Sequence, residues 1–370
     1  MDDALKTVCA LLGTRVEQVE QLSAGDRSTV RRIREAHGDR TLIVKEFHGA
    51  GEPWVRECAA LACLPADAPA PRLVAESADP QLAVLSDLGG GGRRSVRTRG
   101  IADHLLADDS AAAAGALVRW ARALAALHGA TRGLRGEFES QLAARAGDLP
   151  VAVSPLRADL ASAGELLDRH CAALGVATPP GTADQLRELA ERVTSGPTAL
   201  SPHDTCPDNC VAVGDELALV DFEGAQWRNV AWDLAYLVVP WPTCWCCWRL
   251  AEPAADAAVA AYRESAAQAF PEVATAEFDR DLEAAVLGWA LESAALLIEP
   301  TLAGEDRHSG DPDRDRPAPP RRSVLLHRLD RASAVSVFPA LAELTSRLAA
   351  DLRDRWGAQP ALPLAPAFRE

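Results

Sequence analysis

Residues 16–23, 30–36 and 41–47 alternate between apolar and polar side chains and are separated by the turn-rich stretches AGDRS and HGDR, so three strands are predicted. A short helix is expected before them, over residues 3–12. Between residues 52 and 64 the spacing becomes helical, with Val55, Ala59, Leu61 and Ala62 as its apolar positions. Two further strands are predicted near residues 72–76 and 82–86, and a run of glycines from Gly89 to Gly92 closes this part. From about Ile101 onward Ala, Leu, Arg and Glu dominate, and helices are predicted throughout. One exception is a β-hairpin formed by the apolar runs 211–213 and 217–220 around Gly214 and Asp215. Residues 304–323, polar and rich in proline, are predicted to be a disordered loop. A helix pair over residues 324–334 and 338–356 follows. The pattern is therefore α+β, with a β-rich part over residues 1–90 and a mostly helical part over residues 91–370.

Composition narrows the class. Hydrophobic content of 48% and charged content of 25% are those of a globular protein with a sizeable core. No apolar run reaches the roughly 18 residues of a membrane span, and the acidic start of the chain lacks the pattern of a signal peptide. Nine cysteines, odd in number and scattered, do not make a secreted disulfide framework, so a cytoplasmic protein with reduced thiols is expected. A net charge of −15 argues against a nucleic-acid partner. The acidity is local: residues 1–100 carry 14 bases and 14 acids, whereas residues 201–300 carry 4 bases and 17 acids.

Arginine is abundant, yet the chain has only two lysines, Lys6 and Lys45, and only two asparagines, Asn209 and Asn229. Against such a bias, a Lys or Asn that persists marks a chemical need. Lys45 ends the β-branched run TLIVK, where a buried ammonium requires anions such as phosphates, with Glu57 on the following helix as a carboxylate partner. In SPHDTCPDN, residues 201–209, Asp204 and Asn209 share one tight turn. Phosphoryl transfer uses such a pair, one group orienting the attacking hydroxyl and the other giving oxygen to Mg²⁺. The apolar run LALV then delivers Asp221, followed by Phe222 and Glu223, at a strand end suited to a hard cation.

A strand Lys, a helix Glu, an HD-x₄-N turn and a DFE strand end, in this order, resemble the aminoglycoside phosphotransferase and choline kinase family, relatives of the protein kinases. The resemblance covers about residues 15–300. It implies a two-lobed, protein-kinase-like fold, ATP and Mg²⁺ as cofactors, and a small-molecule acceptor held by the helical lobe. By position it implies Asp204 as catalytic base, Asn209 and Asp221 as Mg²⁺ ligands, and Lys45 as phosphate clamp paired with Glu57. The turn containing Ser28 and Thr29 would cover the phosphates, and Ser86, Asp87 and Leu88 would form the hinge that meets adenine. Asp233, in WDLAY, would brace the catalytic loop.

The phosphate turn holds a single glycine, Gly25, a His rather than an Arg precedes Asp204, and only twelve positions separate Asp221 from Asp233. The last two features favour small-molecule kinases over protein kinases. Cys244, Cys246 and Cys247 sit among Trp241, Trp245 and Trp248; adjacent cysteines suit tetrahedral zinc poorly, so a packed helix or a pocket wall is expected there. His128 is expected to be a structural cap, and the glycine run an interlobe linker. The acidic stretch suggests a cationic acceptor, with Glu252, Asp256, Glu264, Glu283 and Glu292 as candidates to line its cleft. The leading reading is a kinase for a cationic molecule such as an aminoglycoside-like antibiotic, and three others remain at this point: a metabolite kinase for an amino alcohol or sugar, a kinase acting on Ser or Thr of a peptide in natural-product maturation, and an inactive pseudokinase scaffold.

Overall fold

Residues 16–47 form three strands of one sheet, although the first of them is exposed at every position after Val16. In the computed structural model, residues 3–36, 38–49, 51–89, 100–306 and 318–369 are described. The glycine run beyond Gly89 and residues 307–317 of the predicted loop lie outside them. Five antiparallel strands, β1 (Val16–Ala24), β2 (Ser28–Glu35), β3 (Thr41–Phe47), β4 (Leu73–Ala78) and β5 (Gln81–Ser86), run in the order β1-β2-β3-β5-β4. Side chains alternate faces along a strand. Leu42 and Val44 of β3 therefore share one face with Ile33, Leu82 and Val84, under Ala4 and Val8 of helix α1 (Asp3–Leu12). Lys45 and Phe47 fall on the other face, toward α2 (Glu52–Cys63), nearly all of whose side chains are buried. Lys45 is thus placed by the strand's period of two, opposite Val30 on one side and Ala83 on the other.

Beyond the sheet come α3 (Ile101–Leu106), α4 (Ser110–Thr131), α5 (Arg135–Ala146), α6 (Leu156–Leu174) and α7 (Thr182–Arg192). The short helix α8 (Ala231–Leu234), then α9 (Glu252–Ala266), α10 (Ala276–Leu302), α11 (Arg321–Ser333) and α12 (Pro339–Trp356) complete the helical part. Asp109 caps α4 by accepting from Ala112 N at 2.9 Å, and Thr275 caps α10 in the same way. Helix α10 is apolar on nearly every face, which fits a central position against α6, α8 and α11. None of the described helices is long and apolar enough to cross a membrane.

Four short strands interrupt the helices. The predicted hairpin is present as β7 (Cys210–Val213) and β8 (Glu216–Leu219). Strands β6 (Thr198–Ser201) and β9 (Gln226–Asn229), which pair antiparallel, escape the sequence pattern. In β9 the residues Gln226, Trp227, Arg228 and Asn229 are all buried, so no alternation survives to mark the strand. The segment around Cys244–Cys247 is a chain of tight turns rather than the expected helix.

Candidate active site

Lys45 meets three carboxylates. Its Nζ lies 2.6 Å from Glu57, 2.5 Å from Asp221 and 3.0 Å from Glu223. Burial works against the ammonium, but the three acids outweigh it and hold Lys45 protonated well above its ordinary range. Glu223 also receives Arg27, from the turn between β1 and β2, at 3.0 Å. Lys45, Glu57 and Asp221 line a cavity of about 680 Å³, together with Ser28, Ser86, Asp87, Leu88 and Asn209. Thr29 is not among its lining residues, and its hydroxyl pairs with His48 Nε2 at 3.0 Å. Thr29 sits one step along the alternation from Ser28, so the two side chains leave opposite faces of β2. In the hinge, the Ser86 amide donates to the Arg72 carbonyl at 2.9 Å, and the Asp87 carboxylate holds Arg32 Nε at 2.8 Å.

Asp204 and Asn209 share the turn between β6 and β7. Asn209 donates through Nδ2 to the Asp204 carbonyl at 2.9 Å, which leaves its own amide oxygen open to the cavity. The Val220 amide donates to the Asn209 carbonyl at 2.9 Å, tying this turn to the strand end that carries Asp221. Asp221 adopts φ 68°, a left-handed backbone that Asp tolerates better than most residues. Two hard oxygen donors are thus brought to one wall of the cavity, a set that suits Mg²⁺.

Beneath the turn lies a fully buried polar network. Asp233 accepts from Arg228 Nη2 and from Ser201 Oγ on one oxygen and lies 3.0 Å from His128 Nε2 on the other. Burial alone would raise the Asp233 carboxyl, but Arg228 and His128 overcome this and bring it to about 2. His128 is structural, yet as a brace rather than a cap, because its other ring nitrogen reaches Tyr262 Oη at 2.8 Å. Arg228 donates to the His203 carbonyl at 2.8 Å and Ser201 Oγ accepts the His203 amide at 3.0 Å. His203 is thereby pinned at φ 80° immediately before Asp204. Gly224 is required here, since a Cβ at that position would stand 2.9 Å from His203 Cβ.

His203 itself is a poor base. Burial and the neighbouring Arg228 press its pKa down to about 3. Arg228 Nη1 lies 3.4 Å from its Nδ1, and a guanidinium can only donate, so the ring proton sits on Nε2. Asp204, by contrast, is pushed above the ordinary carboxylate range by burial.

The sequence of the phosphotransferase enzyme family matches residues 18–297, more than half of the chain. This chain belongs to that family. An ethanolamine kinase of Plasmodium vivax is 12% identical over 87% of this chain and 83% of its own, with a TM-score of 0.51. A choline/ethanolamine kinase family protein from Mesorhizobium loti is 16% identical over 91% and 93%, with a TM-score of 0.49. A ternary complex of streptomycin, ATP and APH(2")-IIa is 12% identical over 82% and 95%, also at 0.49. At such identities the likeness is one of fold, here the kinase-like fold of small-molecule kinases. Among curated proteins, none matches the chain.

A second cavity of this phosphotransferase, about 640 Å³, opens beside the turn that carries His203 and Asp204. His203, Thr243 and Trp289 line it, with Asp159 on α6, Glu292 on α10 and Arg328 on α11. Neither Asp159 nor Glu292 has a hydrogen-bond or ion-pair partner among the described residues. Burial raises both carboxyls, and the neighbouring Asp159 helps to bring Glu292 to about 8, against the pull of Arg228. Of the five acidic candidates read from the sequence, only Glu292 lines this cavity. Glu252, Asp256 and Glu264 are exposed on α9, and Glu283 accepts the Ser336 hydroxyl at 2.8 Å. Asp159 escaped notice because it lies outside the acidic stretch and only the packing of α6 on α10 brings it there.

Proposed function

We propose that this phosphotransferase moves the γ-phosphoryl group of ATP to a hydroxyl of a small cationic molecule. Residues 1–90 would form the nucleotide-binding lobe, and residues 91–370 would carry the base and the acceptor cleft. The observation that carries this reading is that Asp204 is bonded to one lining residue of each cavity. Its carbonyl is tied to Asn209 in the first, and its carboxylate is tied to Thr243 in the second. A hydroxyl entering from the second cavity meets a base whose neighbours face the phosphates.

In this scheme Lys45 neutralises the phosphates, exchanging carboxylate partners for phosphate oxygens while Glu57 keeps it in place. Asn209 and Asp221 would hold Mg²⁺, which when bound offsets charge developing on the transferred group. Asp204 accepts the acceptor's proton as the hydroxyl oxygen attacks, and ADP leaves with the nucleotide side of the broken bond. His203, neutral and protonated on Nε2, offers a donor to the acceptor. Lys45→Ala is expected to raise the KM for ATP and lower kcat, through lost charge neutralisation. Unchanged ATP kinetics would remove Lys45 from the site.

The cationic acceptor rests on Asp159 and Glu292, two unpartnered carboxylates in a cavity otherwise walled largely by apolar side chains. A hydroxylated amine would supply the missing partner. With no ligand bound, Glu292 is mostly protonated below about pH 8, so binding an ammonium group must release that proton. The KM for such an acceptor should therefore fall as pH rises from 6 to about 8, and Glu292→Gln should flatten the profile. Assaying ATP turnover with amino alcohols, amino sugars and their uncharged counterparts tests the reading. Preference for the uncharged compounds, or a KM indifferent to pH, would overturn the cationic assignment.

A further inference from the structure

The turns after α8 form a strap laid across the catalytic loop. Arg328, fully buried on α11, donates to the carbonyls of Pro240, Trp241 and Pro242 at 3.3–3.4 Å and to Ser293 Oγ at 2.9 Å. Trp241 is wedged edge-on against Trp120, with ring centroids 5.3 Å apart. The strap then meets the loop residue by residue: Thr243 Oγ1 reaches Asp204 Oδ1 at 2.5 Å, the Cys244 side chain is hydrogen-bonded to that of Cys206, and Trp245 Nε1 donates to Asp208. An ionised carboxylate only accepts, so the single hydroxyl hydrogen of Thr243 points at Asp204. Tyr236 Oη lies 3.1 Å from both Thr243 Oγ1 and the His203 carbonyl and has a single hydrogen for one of these two acceptors.

The Cys206 thiol reaches the Asp204 carboxylate, and the two contacts from Thr243 and the Cys206 amide fall on the same oxygen. Oδ1 accepts from Thr243 and, at 3.2 Å, from the Cys206 amide, and Oδ2 takes neither bond. We propose that Thr243 is a positioning residue, which holds the Asp204 carboxylate by Oδ1 so that Oδ2 is presented to the incoming hydroxyl. This rests on Asp204 being the base. Without Thr243 the carboxylate is held by Cys206 alone, through a 3.2 Å amide contact and a weak thiol donor, and small misplacements of a reacting group cost up to about 10²-fold in rate. Thr243 also lines the second cavity, where an acceptor approaches the base.

The test uses the full chain with MgATP as the only ligand and water as acceptor, following release of phosphate. Thr243→Val removes the hydroxyl at nearly constant volume and is expected to slow turnover by about 10–100-fold, with the KM for MgATP unchanged. Thr243→Ser restores the hydroxyl and should recover most of the rate. Thr243→Ala gives the same comparison if the valine variant fails to fold. Turnover by Thr243→Val at or above the wild-type rate, or a serine variant no better than the valine, overturns the proposal. A loss that appears in the KM for MgATP instead would mean a structural role and also overturns it. Wild-type turnover that Asp204→Ala leaves unchanged sinks the base assignment first, and this inference with it.

Discussion

Asp204→Ala is expected to bind MgATP as tightly as the wild type and to transfer phosphate about 10²–10⁴-fold more slowly, the range for a lost general base. Two features separate this outcome from simple damage. The Asp204 side chain does not line the nucleotide cavity, so nucleotide affinity has no reason to change. Its tie to Asn209 runs through the backbone carbonyl, which an alanine keeps, so the turn remains in place. Nucleotide titration and single-turnover transfer on the same preparation would check both halves. Transfer at a near wild-type rate would remove Asp204 from the base role. His203 could not inherit that role readily, because a group with a pKa near 3 drives proton abstraction weakly at neutral pH.

Asp233→Ala should be the most destabilising of the substitutions considered, costing about 3–5 kcal/mol, as expected when one partner of a buried ion pair is removed. Arg228, 1% exposed, would be left with its charge unmatched, and Ser201 and His128 would each lose an acceptor. Against a typical domain stability of about 5–15 kcal/mol, such a loss is large. Chemical denaturation should show the midpoint falling sharply, with Asp233→Asn intermediate because it keeps the shape and some of the hydrogen bonds. A variant as stable as the wild type would mean that Arg228 finds another acceptor. The pH dependence follows from the same pair. Because folding depresses the Asp233 carboxyl from an ordinary 3.8 to about 2, its contribution is complete above the ordinary value and is lost as pH falls toward 2.

Much of the nucleotide side was legible along the chain because its chemistry is local. A period-two strand places Lys45, one helical segment places Glu57, and a single short turn holds Asp204 and Asn209 together. The five-stranded sheet, the hairpin carrying Asp221 and the closing helix pair were all readable from alternation and spacing. Rarity sharpened the signal, since a chain with two lysines and two asparagines puts one of each in the cavity. Strand β9 was unreadable for the opposite reason, being buried on both faces and built partly of polar residues whose partners lie in distant elements.

The acceptor side belongs to tertiary structure. Counting acids over residues 201–300 pointed toward a cationic ligand, but four of the five candidates it named face solvent or other partners, and Asp159 came from elsewhere. Thr243 carries no motif, and its hold on Asp204 exists only because Arg328, far along the chain, seats the strap. By itself the sequence determined the family, the fold and several of the groups that line the first cavity, because each depends on neighbours within a strand, a helix turn or a loop. Packing alone decided which carboxylates line the second cavity, which threonine bonds to Asp204 and which buried charges are paired. Those relations join side chains brought together by helix crossings and irregular turns, and no periodicity along the chain encodes them.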